Sequence, residues 1–279
     1  MTVAVPASVG DALRAAVQRL RASGSRSPRL DAELLLARTL DCPRAELLRE
    51  PGRTLDTGEA ARFESLLTRR EAREPVAYIL GSKGFRSIEL AVDPRVLIPR
   101  PETEHVVEAL LDLPRRSRVC DVGTGSGAIA LALATERPDL EVVATDASAD
   151  ALAVARANAA RLGLAVTFHH GDLLAGVTGR IDAIVSNPPY VEDAAELAPD
   201  IVRHEPALAL RAGPSGLDVI SRLLPAAGAT AAKLVALEVG EGQAEAVAAL
   251  ARDAGFPLVD TVRDLAGVER VVVGRRRSA

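Results

Sequence analysis

The sequence predicts an α/β domain built on a mainly parallel sheet, preceded by a small all-helical domain. Three observations carry this expectation. From Arg118 onward, short apolar runs alternate with alanine-rich helical patterns, the signature of a parallel sheet covered on both faces. Before residue 75, apolar residues recur at three- and four-residue steps, as on one face of a helix. At 279 residues the chain is also nearly twice the length of a common domain of roughly 150 residues.

A first helix is expected around residues 8–22, where Val9, Leu13, Ala16, Val17 and Leu20 share one face. Ser27 as N-cap and Pro28 in the first turn open a second, with Leu30, Leu34, Leu35 and Ala37 along its apolar side. Pro43 opens a short third helix through Leu48. A fourth spans Thr57 to Arg73, with Phe63, Leu66 and Leu67 inward and Arg62, Glu64, Arg69 and Arg70 on a charged opposite face; Pro75 stops it. Between 81 and 104, Phe85, Ile88, Leu90 and Val92 predict a short hairpin, and Pro99 and Pro101 forbid helix. The expected division is therefore a helical domain at 1–80, a hairpin and linker at 81–104, and an α/β domain at 105–279. Within the last, strands are expected at Arg118–Val122, Glu141–Thr145, Val166–His169, Ile181–Ser186, Lys233–Val239 and Glu269–Val273. The helices between them are Gly127–Thr135, Ala149–Leu162, Leu217–Leu224 and Gln243–Ala254, and Arg275–Arg277 reads as a solvated, frayed tail.

Composition excludes several classes. Apolar residues make up 48% and charged residues 26%, a globular balance that argues against disorder. No apolar run approaches the roughly 18 residues that span a bilayer, and the N-terminus has neither a basic start nor a long apolar stretch, so no cleaved secretion signal is expected. Cys42 and Cys120 form no CxxC pair, which removes disulfide scaffolds and cysteine-rich zinc sites and fits a reducing cytoplasm. The net charge of −4 divides into +3 up to residue 95 and −7 beyond it. Neither half has the basic excess of a domain that binds by neutralising phosphates, so direct nucleic-acid binding is not expected.

Two motifs carry chemistry. Asp121-Val-Gly-Thr-Gly-Ser-Gly127 follows a strand and opens a helix, so Gly123, Gly125 and Gly127 let the backbone approach a ligand closely. Asp146 ends the next strand, 23 residues past Gly123, where its carboxylate can accept both hydroxyls of a ribose. The pair reads as a site for an adenosine-bearing cofactor; GTGSGA also satisfies the dinucleotide pattern, so the spacing alone does not choose among such cofactors. Asp121, two residues before the first glycine, would form an acidic rim that suits a cation better than a pyrophosphate. Asn187-Pro188-Pro189-Tyr190 ends the fourth strand, at the carboxyl edge where such sheets bind ligands. An amide nitrogen is a poor nucleophile because its lone pair is delocalised, and two fixed acceptors on its N–H groups would turn that pair toward an electrophile. The Asn187 side-chain carbonyl and the Pro188 backbone carbonyl supply two acceptors, the prolines stiffen the loop, and Tyr190 offers a ring face to a planar group.

These residues, with EPVAYILG (74–81), VLIPRPETE (96–104), HEPALAL (204–210) and LEVGEGQ (237–243), resemble the HemK/PrmC-type methyltransferases, which modify the glutamine of the GGQ motif in peptide chain release factors. The resemblance covers essentially the whole chain. It implies a class I (Rossmann-like) S-adenosylmethionine-dependent methyltransferase domain, with a seven-stranded sheet and one reversed strand, behind a helical domain that helps dock the release factor. It also implies that Gly123, Thr124, Gly125, Ser126, Gly127 and Asp146 hold S-adenosyl-L-methionine, that Leu173 lies against the adenine, and that Asn187 touches cofactor and glutamine. Asn187 to Tyr190 would form the substrate clamp, and Arg100 and Glu102 would order the pocket wall. A cytoplasmic monomer is expected. The sequence departs from its relatives at Pro225–Gly228, a less glycine-rich loop, and at Leu173, where some carry an aromatic.

Other features are set aside. Asp172 is an acceptor for the adenine amino group or a loop-capping carboxylate. His169 and His170 lack the spacing of a metal site, and no metal is expected. His105 and His204 read as structural or surface residues, Cys120 as a small buried apolar residue, and Glu238 and Gln243 carry no assigned chemistry.

Overall fold

The computed structural model describes residues 8–277, so the N-terminal segment read for a secretion signal lies mostly outside the described residues. In chain order the helical part holds α1 (Val9–Ala22), α2 (Pro28–Leu40), α3 (Arg44–Arg49), α4 (Thr57–Glu71) and α5 (Val76–Leu80). The strands β1 (Ser82–Phe85) and β2 (Ile88–Ala91) follow, then α6 (Glu104–Glu108), β3 (Arg118–Val122), α7 (Ala128–Glu136), β4 (Glu141–Asp146), α8 (Ala149–Leu162), β5 (Thr167–His170) and β6 (Ala183–Ser186). Last come α9 (Pro199–His204), α10 (Asp218–Gly228), β7 (Leu234–Glu238), α11 (Ala244–Asp253), β8 (Leu258–Arg263) and β9 (Glu269–Arg275).

Two compact units result. Of the described residues, one comprises 8–81 together with 197–204; the other comprises 82–196 and 205–277, and so contains the hairpin.

In the first unit Ser8 caps α1 through its side chain, and Asp56 and Glu59 form a reciprocal capping box on α4. Val9, Ala16, Leu20, Leu35, Leu36, Phe63 and Leu67 close its core. Leu30 instead stands exposed, because the side of α2 that turns inward begins at Asp31. Arg70 does not lie on a charged outer face. It is buried, its Nε donating to Asp31 at 2.8 Å and its Nη1 to Asp200 at 2.9 Å. An ion pair this dry is strongly destabilising when only one partner is removed, by about 3–5 kcal/mol. Pro75 ends α4 and also caps α5, a short helix whose five residues are too few to show a period.

The second unit is a seven-stranded sheet in the order β5-β4-β3-β6-β7-β9-β8, parallel except where β9 runs antiparallel to both neighbours. Alternation explains why both faces are apolar. Cys120, Val122, Ile184, Val235, Leu237 and Val272 share a core with α10 and α11, while the alternate positions Val119, Ala183, Val185, Ala236 and Val271 are buried on the other face. The strand β8 escapes a periodicity reading because it is an edge strand, with only Val259 and Val262 half-buried. Pro225–Gly228 is the last turn of α10, not a loop. Arg276 is not frayed: its guanidinium lies 5.1 Å from the centre of the Phe256 ring and its Nη1 donates to the Thr230 carbonyl at 2.9 Å. Among the described residues no helix is long and apolar enough to cross a membrane.

Candidate active site

The sheet order reverses between β3 and β6, and a doubly wound sheet opens a crevice at that point beyond the carboxyl ends of its strands. A cavity of about 270 Å³ lies there. Its wall includes Val122 at the end of β3 and Gly123 just after it, Thr145 and Asp146 at the end of β4, and Asn187 after β6.

The glycine turn forms one side. Gly123 and Gly125 have φ of +72° and +56°, and a Cβ built on either meets nothing within 4 Å, so both present bare backbone to open space. Asp146 holds the turn in place: Oδ2 accepts from the Gly125 N–H and Oδ1 from the Ser148 N–H, each at 2.8 Å. Burial raises its carboxyl above the usual range, opposed by those two backbone donors. Each oxygen keeps a lone pair for a ligand hydroxyl. Thr124, Ser126 and Gly127 do not line the cavity. The Thr124 hydroxyl donates to Asp121 at 2.6 Å, and the Ser126 carbonyl accepts from the buried Asn158 side chain. At Gly127 a Cβ would sit 2.8 Å from Leu131 Cδ1, so this glycine serves helix packing.

Asp121 is not an acidic rim. It is fully buried, one oxygen accepting from Thr124 and the Ala130 N–H, and burial pushes its carboxyl up to about 7. The opposite wall holds Asp172 and Leu173. Asp172 is exposed and pairs with Arg222 at 2.8 Å. Leu173 adopts φ of +52°, which its carbonyl, accepting from the Thr145 hydroxyl at 2.7 Å, helps to hold.

Asn187, Pro188 and Pro189 line the third side, whereas Tyr190 stands behind it. The hydroxyl of Tyr190 donates to Glu238 Oε1 at 3.1 Å, and its carbonyl accepts from Gln243 Nε2 at 3.0 Å. The Asn187 amide is oriented too: Nδ2 donates to Thr103 Oγ1 at 3.0 Å, and that hydroxyl donates to Glu238 Oε2 at 2.5 Å. Glu238 is almost wholly buried at the end of β7, and burial, reinforced by the charge of Glu102, pushes its carboxyl up to about 7 against the two hydroxyl donors. Burial and the Glu238 charge also raise the Tyr190 phenol. Arg100 and Glu102 are absent from the cavity wall. Arg100 donates to the buried Glu205 at 2.6 Å, and Glu205 also accepts from the Ile98 N–H, which ties the LIPRPETE segment to HEPALAL.

Sequence reading therefore missed Thr103, Glu205, Glu238 and Gln243 as supports of the site. Their signal was present in the segments VLIPRPETE, HEPALAL and LEVGEGQ, which contain them. Among the described residues no group of three His, Cys, Asp or Glu side chains is placed to hold a metal.

A sheet of this order, reversed at one strand, with an exposed-backbone turn facing a ribose-ready carboxylate, defines a class I S-adenosylmethionine-dependent methyltransferase. A family model described as "PrmC N-terminal domain" matches residues 11–81, and one described as "Methyltransferase small domain" matches residues 102–244. The chain is 44% identical over 274 residues to the release factor glutamine methyltransferase of Koribacter versatilis, covering 95% of this chain and 97% of that one. It is 45% identical over 276 residues to the enzyme of the same description from Moorella thermoacetica, covering 95% and 98%. The crystal structure of a methyltransferase from Pyrococcus furiosus shares the fold, with a TM-score of 0.55 at 18% identity over 76% of this chain and 100% of that one. The chain belongs to the release factor glutamine methyltransferase family.

Proposed function

We propose that this protein transfers the methyl group of S-adenosyl-L-methionine to the side-chain amide nitrogen of the glutamine in the GGQ motif of peptide chain release factors. The observation that carries the site assignment is the orientation of Asn187. With Nδ2 held by Thr103, the carbonyl Oδ1 is the end left for the cavity, beside Pro188. Two acceptors on one planar carboxamide fix its plane and turn its nitrogen lone pair outward, so positioning supplies most of the rate.

The bare backbone at Gly123 and Gly125 and the carboxylate of Asp146 fit the nucleoside and its ribose hydroxyls. Leu173 and Asp172 both line the opposite wall, which supports reading Leu173 as an apolar surface for the base and Asp172 as an acceptor for its amino group. When bound, the cofactor supplies an electrophilic methyl carbon on a sulfonium sulfur. Asn187 Oδ1 and the Pro188 carbonyl would hold the two N–H groups and turn the nitrogen lone pair toward that carbon, whose transfer would leave the sulfur neutral. The nitrogen then sheds one proton to water, so no general base precedes transfer. Tyr190 and Gln243 brace the clamp from behind, and Arg100 and Glu102 shape the segment that carries Thr103. The helical unit is read as the docking surface for the release factor, and the enzyme as a cytoplasmic monomer that does not touch nucleic acid directly.

The test is mass spectrometry of the GGQ peptide after a whole release factor is incubated with this protein and cofactor. One added methyl on the glutamine is expected; an unmodified glutamine with methyl incorporated elsewhere overturns the reading.

A further inference from the structure

From Asn187 on the cavity wall, a chain of four polar groups joined end to end runs inward through the buried Thr103 and Glu238 to the half-buried Tyr190. Its members come from three places, the Asn-Pro-Pro-Tyr turn after β6, the residue before α6 and the end of β7, so no local backbone need explains it. Direction matters in such a chain. An ionised carboxylate only accepts, so both hydroxyls must donate to Glu238. Having spent its proton on Glu238, the Thr103 hydroxyl has only lone pairs for Asn187, and the Asn187 amide must therefore present its NH2 to Thr103 and its carbonyl to the cavity.

We propose that Thr103 and Glu238 are positioning residues for methyl transfer: the ionised Glu238, acting through the Thr103 hydroxyl, sets which end of the Asn187 amide faces the substrate. This rests on the reading of Asn187 as the glutamine acceptor. A reversed amide would present an NH2 group to the N–H groups of the glutamine, donor against donor, and the clamp would repel what it has to hold. A proton on Glu238 places a donor on the 2.5 Å contact to Thr103 and sends the reversed polarity along the chain. The charged and titratable groups that act on Glu238 from the packed elements are Glu102, which favours its protonation, and Arg270, held by Asp264, which opposes it; the Tyr190 hydroxyl touches it, and Arg100 acts in turn on Tyr190. Burial holds the Glu238 carboxyl up to about 7, so the switch falls within a titration from pH 6 to 8.5.

The experiment is single-turnover methylation of a whole release factor from pH 6 to 8.5, with cofactor affinity measured by calorimetry on the same samples. If the wild type adds no methyl to the glutamine, it is the functional reading that fails. With an active wild type, the rate constant should rise with pH through about 7 while cofactor affinity stays level. Thr103→Val, which keeps the shape and removes the hydroxyl, should lower the rate constant by roughly thirtyfold and change cofactor affinity less than threefold. Thr103→Ser, which restores the hydroxyl, should recover at least a third of the wild-type rate. Glu238→Gln, which cannot titrate, should flatten the profile. A flat wild-type profile, a Thr103→Val variant within threefold of wild type, or a pH rise that persists in Glu238→Gln each overturns the proposal. A flat wild-type profile overturns the proposal even if a variant folds poorly.

Discussion

Replacing Asp146 by asparagine is the sharpest test of how the cofactor turn is held. Both carboxylate oxygens accept a backbone N–H, from Gly125 and from Ser148, each at 2.8 Å. An amide of the same shape has one carbonyl oxygen, so either orientation sets an NH2 against one of those N–H groups. At least one charge-assisted hydrogen bond is lost, worth about 1.5–3 kcal/mol. In the free protein the glycine turn escapes the clash by moving, since Gly125 has open space around it. Binding requires the turn back in place, so the cost falls on affinity. A loss of about 2–3 kcal/mol corresponds to roughly 30- to 150-fold weaker binding. Calorimetric titration with S-adenosylhomocysteine at pH 8 measures it. A dissociation constant within threefold of wild type would refute the argument that Asp146 pre-forms the turn.

Three further outcomes are expected. Asn187→Ala should lower single-turnover methylation on the order of a hundredfold while cofactor affinity changes less, and near-normal turnover would remove Asn187 from the clamp. Burial raises the Asp121 carboxyl from 3.8 to about 7, so the stability it contributes is fully present below the lower value and is lost as pH rises through the upper one. Asp121→Asn stays neutral, so its urea midpoint should gain on the wild type between pH 5 and 8, and a pH-independent difference would show that Asp121 is not protonated on folding. Gly127→Ala places a Cβ 2.8 Å from Leu131 Cδ1 at a φ of +87° and should cost roughly 1–3 kcal/mol or more in the same assay; a loss too small to measure would mean that the helix start yields freely.

What the sequence determined alone is what short-range chemistry encodes. Helix starts at Ser8 and Pro28, the parallel strands from Arg118 to Ser186, the glycine turn and the Asn-Pro-Pro-Tyr turn were all legible because each depends on neighbours within a few residues. The same locality explains the misreadings. Charge at Arg70 implied an outer face, yet its partners Asp31 and Asp200 lie 39 and 130 positions away. Asp121 looked like a rim because adjacency to a ligand loop does not reveal burial. The chain through Thr103 and Glu238 joins residues 135 positions apart and has no pattern along the sequence. Which polar group meets which in a low-dielectric interior is settled only when the sheet brings strand ends together, because an unpaired buried dipole is costly there and a correctly directed one is held firmly.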